Sequence, residues 1–364
     1  MMTPLIDRRS FLAAAGSLFA ASLGARQAFA LDCADAVFAT AFQRRTGQFG
    51  VAVLTEAGEL VHALDLPERG HDVTFDPVSR RSVVFARQPG TFMTVFDHDG
   101  KQPPITIASV KGRHFYGHGC FSPDGALLYA TENDFDAAEG MIGIYDARDH
   151  FRRVGEFKTH GVGPHEMLLM GDGRTFAVAN GGIETHPDFG RAKLNIATME
   201  PSLVFIDRLS GSLLSRHTLP ADLHQLSIRH MAADDKGRLW FGCQYEGAER
   251  DRPQLVGYAT GDDGLVLLDM ADDVLGGFRN YIGSVASNPD AGLVAVSSPQ
   301  GNSLVLIDTA SRTVREMRSL TEVCGIAPDR SGFVSSTGTG RWLAPKGPEA
   351  DLPDFVWDNH ILRI

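Results

Sequence analysis

Residues 118–157 read HGCFSPDGALLYATENDFDAAEGMIGIYDARDHFRRVGEF, and this stretch sets the grammar of the whole chain. An apolar opening segment runs into a polar turn (HGCFSPDG). Two β-rich runs follow, ALLYATE and MIGIYDA, and then a more polar fourth run, RRVGEF. The runs are short, rich in β-branched or alternating residues, and bounded by Gly, Asp, Asn or Ser, which is the chemistry of strands and turns. The same opener recurs upstream at His71 (HDVTFDP) and downstream at His165 (HEMLLMGDG) and His230 (HMAADDKG). It returns without histidine at Gly283–Asn288 (GSVASN) and Val323–Asp329 (VCGIAPD), and with His360 in the closing WDNHILRI.

Spacing turns this grammar into an architecture. His118 lies 47 residues after His71, and His165 lies 47 after His118. Units of roughly 40–50 residues with four strands each are the mark of a β-propeller. Helical solenoids share the period but need helical patterning, which these runs lack. The last opener, Trp357–Ile364, has no strands after it, while AVFATAF, FGVAVLT and ELVHALDL near the start have no opener before them. Joining the two completes a blade and removes open sheet edges. The prediction is an all-β, seven-bladed propeller of four-stranded antiparallel blades, the last closed by strands from both termini. Proline-rich residues 344–354 hide the outer strand of the sixth blade.

Residues 1–30 read as an export signal: Arg8-Arg9-Ser10-Phe11-Leu12, a small apolar stretch, and Ala28-Phe29-Ala30 in A-x-A form. The paired arginines resemble a twin-arginine signal cleaved after about Ala30. A periplasmic protein with a single propeller domain over residues 31–364 is therefore expected, and no later segment offers the roughly 20 apolar residues a membrane span requires. Loss of three arginines and one aspartate with the signal takes the net charge from −11 to about −13. An acidic surface without a basic run argues against nucleic acid and anionic lipid. A monomer is expected. Four cysteines (Cys33, Cys120, Cys243, Cys324) show no zinc-type spacing.

In a propeller the first strand of each blade lines the axial channel, so residues sharing the opening slot converge. Five of the 13 histidines occupy that slot: His71, His118, His165, His230 and His360. Neutral imidazoles on rigid strands suit iron, copper and zinc, so these five are candidate ligands for a transition metal. Cys324 is a further candidate from the sixth blade. Asp72, Glu166 and Asp358 are candidates to orient the rings. The slot slips, however. His71 and His165 stand four residues before the first buried position, whereas His118 and His230 stand three before theirs, and in a regular strand one residue of slip reverses the face. Either the openers bend so that both classes face the axis, or only one pair does. Arg113, His114 and Tyr116 are expected beside the channel mouth. The insertion Asn180–Pro201 places His186, Arg191 and Asn195 on a loop that either covers a ligand or packs on a neighbouring blade.

The set RGHD, RHFYGHGCFSPDG, GPHE, ANGGIETHPDFGRAKLN, MEPSL, SIRHMA, YIGSVA, CGIA, TGTGR and WDNHI resembles a bacterial family of twin-arginine-exported seven-bladed propellers of unknown function. That family tends to be encoded beside imelysin-type periplasmic proteins and di-haem oxidoreductases linked to iron uptake. The resemblance implies a periplasmic role in iron acquisition or metal redox handling, with iron or copper favoured over zinc and periplasmic iron-uptake proteins as partners. It carries over no catalytic residue. The channel is similar, more remotely, to the propeller of nitrous oxide reductase, but this chain has fewer histidines and no second copper domain. Two other functions stay open: a metal-dependent lyase or lactonase with a histidine base, and a non-enzymatic scaffold that docks a partner. The G-x-S-x-G elbow, the P-loop and H-E-x-x-H are all missing, so a serine-triad hydrolase has no support.

Overall fold

The computed structural model describes residues 37–97, 103–259, 264–330, 332–346 and 349–364. The export signal over residues 1–30, and Cys33, lie outside the described residues. Seven antiparallel sheets are arranged as blades in a ring. The innermost strands are Gly70–Asp76, Arg113–Phe121, Pro164–Leu169, Leu226–Ala233, Ser284–Asn288 and Val323–Asp329, followed by the split pair Phe355–Trp357 and Leu362–Arg363. Each packs against the next around the axis. The seventh blade closes as expected, because both C-terminal pieces pair antiparallel with Val37–Arg44, the first strand among the described residues.

Burial follows position in the blade. Middle strands such as Phe49–Thr55 and Leu293–Ser298 are buried along almost their whole length, because neighbouring blades cover both faces. Outer strands alternate instead: Arg152–Lys158 shields every second side chain and exposes the rest. Large apolar residues fill the wedges between blades, with Phe85, Phe115 and Phe121 between the first and second, and Trp342, Trp357 and Phe38 between the sixth and seventh. The aspartate that ends many third strands has a local reason. Asp207 accepts backbone N–H bonds from Leu209 (3.1 Å) and Ser210 (2.9 Å), and Asp308 does the same with Ala310 (3.0 Å) and Ser311 (2.8 Å). These contacts close the turn into the outer strand.

Two elements escaped the sequence. The outer strand of the sixth blade is only Ala350–Asp351, paired with Arg341 and Trp342, too short to show through the prolines. A seven-residue helix, Asp272–Phe278, links the fourth and fifth blades and delivers Tyr281 to the channel mouth. Among the described residues no helix is long and apolar enough to cross a membrane. Cys120, Cys243 and Cys324 are free thiols.

Candidate metal centre

The five opener histidines come from five consecutive blades, the seventh and the first four. Bulges in the innermost strands settle the slip. Pairing register shifts between Gly70 and Val73, between Phe115 and Gly119, between Pro164 and Glu166, and between Ile228 and His230. A bulge inserts an unpaired residue and re-aims the side chain, so all four histidines turn inward; of the positions expected to open the core only Phe121 is buried, Phe75 and Leu169 being partly buried and Ala233 exposed. Gly117 takes part in this. It sits at φ 107°, and a Cβ there would lie 2.6 Å from His71 Cδ2. Glycine thus provides both the left-handed backbone and the room for a ring from the neighbouring blade.

Ring contacts define the cluster. His71, His165, His230 and His360 form a closed quadrilateral, with centroid separations of 5.8, 4.7, 4.9 and 4.6 Å taken in turn. His118 touches all four, at 5.0 Å from His71 and His165, 6.1 Å from His230 and 4.6 Å from His360. The contacts have the connectivity of a square pyramid with His118 at the apex. One nitrogen from each of His71, His118 and His165 lies within 4.8 Å of the other two, and the same holds for His118, His230 and His360. Three nitrogens bound to one metal at about 2.1 Å lie about 3.0–3.6 Å from one another, so ligation asks the rings of each group to close in by up to about 1 Å.

Acidic side chains orient three rings, and they follow a rule across blades: each acid lies within two residues of one histidine in sequence and serves the ring of the following blade. Asp72, after His71, lies 3.2 Å from His118 Nδ1. Glu166, after His165, lies 3.3 Å from His230 Nδ1 and accepts the Met231 N–H at 3.2 Å. Asp358, two residues before His360, lies 2.7 Å from His71 Nδ1. Although burial opposes its ionisation, His71, Arg87 and Arg69 together hold the Asp358 carboxyl far below the usual carboxylate range. It is therefore ionised, and His71 must donate from Nδ1, which leaves Nε2 as the free acceptor.

Burial keeps His71, His165, His230 and His360 neutral. It pushes His71 down to about 4 despite Asp358, and it drives His165, His230 and His360 well below the ordinary imidazole value, helped by their cationic and imidazole neighbours. His118 Nε2, His165 Nδ1, His230 Nε2 and His360 Nε2 are buried without a hydrogen-bond partner among the described residues. Leaving a buried polar atom unpaired costs about 1–3 kcal/mol. Four such atoms on the rings of one cluster fit a shared ion that accepts their lone pairs.

A pH dependence follows for the metal-free protein. Depressed imidazole pKa values mean that the unfolded chain binds more protons than the folded one between about pH 6.5 and pH 4. The stability these rings contribute is complete above 6.5 and is lost as pH falls, with His71 alone accounting for on the order of 3 kcal/mol. Glu166, held well above the usual carboxylate range by burial and by Asp72, acts in the opposite sense, but four rings outnumber one carboxyl. Thermal midpoints of metal-free protein should fall steeply from pH 6.5 to pH 4; a flat profile would contradict the neutral cluster.

Other expected site residues divide. Tyr116 and Arg191 reach the cavity that opens over His71, His165 and His230. Arg113 does not; it is ion-paired within its own blade to Asp134 (2.6 Å) and Glu156 (3.3 Å). His114 is buried between Asn133 and the Phe115 carbonyl and stacks on Phe135. His186 caps the short turn at Pro187 and packs on Phe135, bridging the insertion to the second blade. Asn195 bonds Glu184 N (2.7 Å) and Gly182 O (2.9 Å), holding the loop's shape. The insertion therefore does both jobs, with Arg191 at the mouth and His186 and Asn195 in packing. Cys324 is not brought to the cluster. Its Sγ lies 3.5 Å from Ser336 O and Trp357 O among apolar residues of the sixth and seventh blades, where burial pushes the thiol up to about 12.

Sequence reasoning missed Arg87, Lys193, Arg229, Gln244 and Tyr281, which line the same cavity of about 300 Å³. Arg87 and Gln244 stand at or just beyond the ends of second strands, and Arg229 directly precedes His230. A second repeat slot, where the second strand returns to the mouth, was the signal available for them.

Fold and site together define the class: a seven-bladed β-propeller with an axial cluster of five imidazoles beneath a polar cavity. The chain belongs to the family described as protein of unknown function, DUF1513, whose model matches residues 64–364. No curated protein matches it. Among solved structures, hydrazine synthase of Kuenenia stuttgartiensis is similar in fold, with a TM-score of 0.60, 14% identity, and coverage of 80% of this chain and 88% of that one. At that identity the likeness speaks for the propeller alone.

Proposed function

We propose that this protein is a periplasmic propeller that binds one transition-metal ion, iron or copper before zinc, through His71, His118, His165, His230 and His360. The observation that carries the reading is the set of four buried, unpartnered ring nitrogens gathered in one cluster. Orienting acids on His71, His118 and His230 support it, because ligating imidazoles nearly always give their other ring nitrogen to such an acceptor. An all-imidazole set favours borderline metals over magnesium or calcium. Such an ion would supply a redox or Lewis-acid centre, and the protein's part is to hold the rings fixed. The twin-arginine-like signal and the resemblance to propellers encoded near iron-uptake proteins support a role in iron acquisition or metal redox handling.

A lyase or lactonase reading asks for a carboxylate that reaches substrate in the pocket, whereas Asp358 and Glu166 contact His71 and His230 without joining the described lining of the cavity. The observations therefore favour the metal centre. Protein exported in its native host and purified without chelator should contain about one equivalent of iron or copper by elemental analysis. Protein that arrives metal-free and takes up no iron, copper or zinc on titration sinks the proposal.

A further inference from the structure

The cavity above the cluster is cationic in a protein whose net charge is −11. Arg87, Arg191, Lys193 and Arg229 line it. Two acids lie behind these walls. Asp358 is shared between Arg69 (2.7 Å), Arg87 (3.4 Å) and His71, and Glu246 pairs with Lys193 and with Arg229 (3.7 Å). Five cations thus face two carboxylates. Arg191 has no acidic partner among the described residues, and it stands exposed at the cavity mouth, within electrostatic reach of Arg87 and Arg69. Arg229 Nε is buried without a hydrogen-bond partner. Arg87 and Arg229 are largely withdrawn from water, and holding guanidinium groups there is costly unless a counter-charge answers them. A metal ion beneath them would sharpen the repulsion.

We propose that this cavity binds a small oxyanion carrying two or more negative charges, a phosphate or a dicarboxylate, between the arginines and the His71–His165–His230 side of the histidine quadrilateral. The inference rests on the metal reading only for the second half of that placement, since the cations surround the cavity in any case. Three corners of the quadrilateral, His71, His165 and His230, line the cavity, while His360 and the apical His118 do not, so the arginines overlook the quadrilateral from the His71–His165–His230 side. Guanidinium forks match the paired oxygens of carboxylate and phosphate. Tyr116, Tyr281 and Gln244 add neutral hydrogen-bonding groups, and about 300 Å³ is at the small end of ligand pockets. The excess of positive charge calls for more than a single negative charge.

Chelator-stripped protein, and the same protein reloaded with Co(II), are titrated calorimetrically with inorganic phosphate, succinate and acetate, alongside Arg191→Gln. Phosphate or succinate should bind at least tenfold more tightly than acetate, weaken at least tenfold in Arg191→Gln, and weaken as salt is raised. The winner of the phosphate–succinate comparison identifies the oxyanion. Arg191→Gln breaks no ion pair, so an unchanged thermal midpoint is expected for it; should it misfold, Lys193→Gln takes its place. In the Co(II) protein the bound anion should also alter the visible spectrum. Anion binding that depends on Arg191 in protein that takes up no Co(II), iron, copper or zinc would overturn the metal reading and uphold this one. One equivalent of Co(II) with equally weak binding of all three anions, or binding indifferent to Arg191, would overturn this one.

Discussion

His118→Ala is expected to lose metal more completely than any other single substitution in the protein. His118 belongs to both close groups of three nitrogens and touches every other ring of the cluster. Removing it breaks both groups at once, whereas loss of His360 leaves His71, His118 and His165 together. If a structural site binds its ion with roughly 10–16 kcal/mol shared among its ligands, one imidazole of five is worth roughly 100-fold in affinity. Asp358→Asn provides the graded comparison. It leaves all five rings in place but removes the charge that fixes the His71 tautomer, so a smaller loss of about 10- to 100-fold is expected. Competition against a chelator of known affinity measures both. Unchanged retention in His118→Ala would mean that the rings do not share an ion.

Gly117→Ala is expected to disable the site from a position that offers no side chain of its own. The new Cβ would stand 2.6 Å from His71 Cδ2, in a backbone region that L-residues rarely adopt. Strain of about 1–3 kcal/mol follows from the dihedral alone, and the methyl displaces the His71 ring from Asp358 and from the cluster. Far-UV circular dichroism should keep its β signature, because Gly117 lies in a bulge and takes no part in the paired register of its strand. Metal content should fall well below one equivalent and the thermal midpoint should drop. Gly112→Ala is the matched control: it also has positive φ (82°), but nothing lies within 4 Å of its Cβ position. Full metal in Gly117→Ala would show that His71 is not needed.

Much of this was legible along the chain. Strand runs such as SLVFID and LVAVSS, the Asp-ended turns and the return of the opener are local, because strand propensity and turn hydrogen bonds act over a few residues. Closure of the ring could be read for the same reason, as an opener without strands at one end and strands without an opener at the other. Cys324 shows the limit of slot logic. It shares the opener position, yet its strand's bulge between Val323 and Ile326 leaves the thiol in the wedge against Trp357. Arg113 and His114 lie within five residues of His118 but face partners in their own blade.

The sequence by itself determined the number of blades, the strands that build them and the five histidines that share one slot, because each is written in patterns a few residues to a few tens of residues long. Only the tertiary structure decided which way each ring points, that each orienting acid serves the next blade, and that Arg87, Arg191 and Arg229 enclose one cavity. Those relations arise where bulged strands from different blades meet at the axis, as when Asp358 reaches His71 across 287 positions of sequence. Side-chain direction there follows from inter-blade packing, which leaves no periodic mark in the chain.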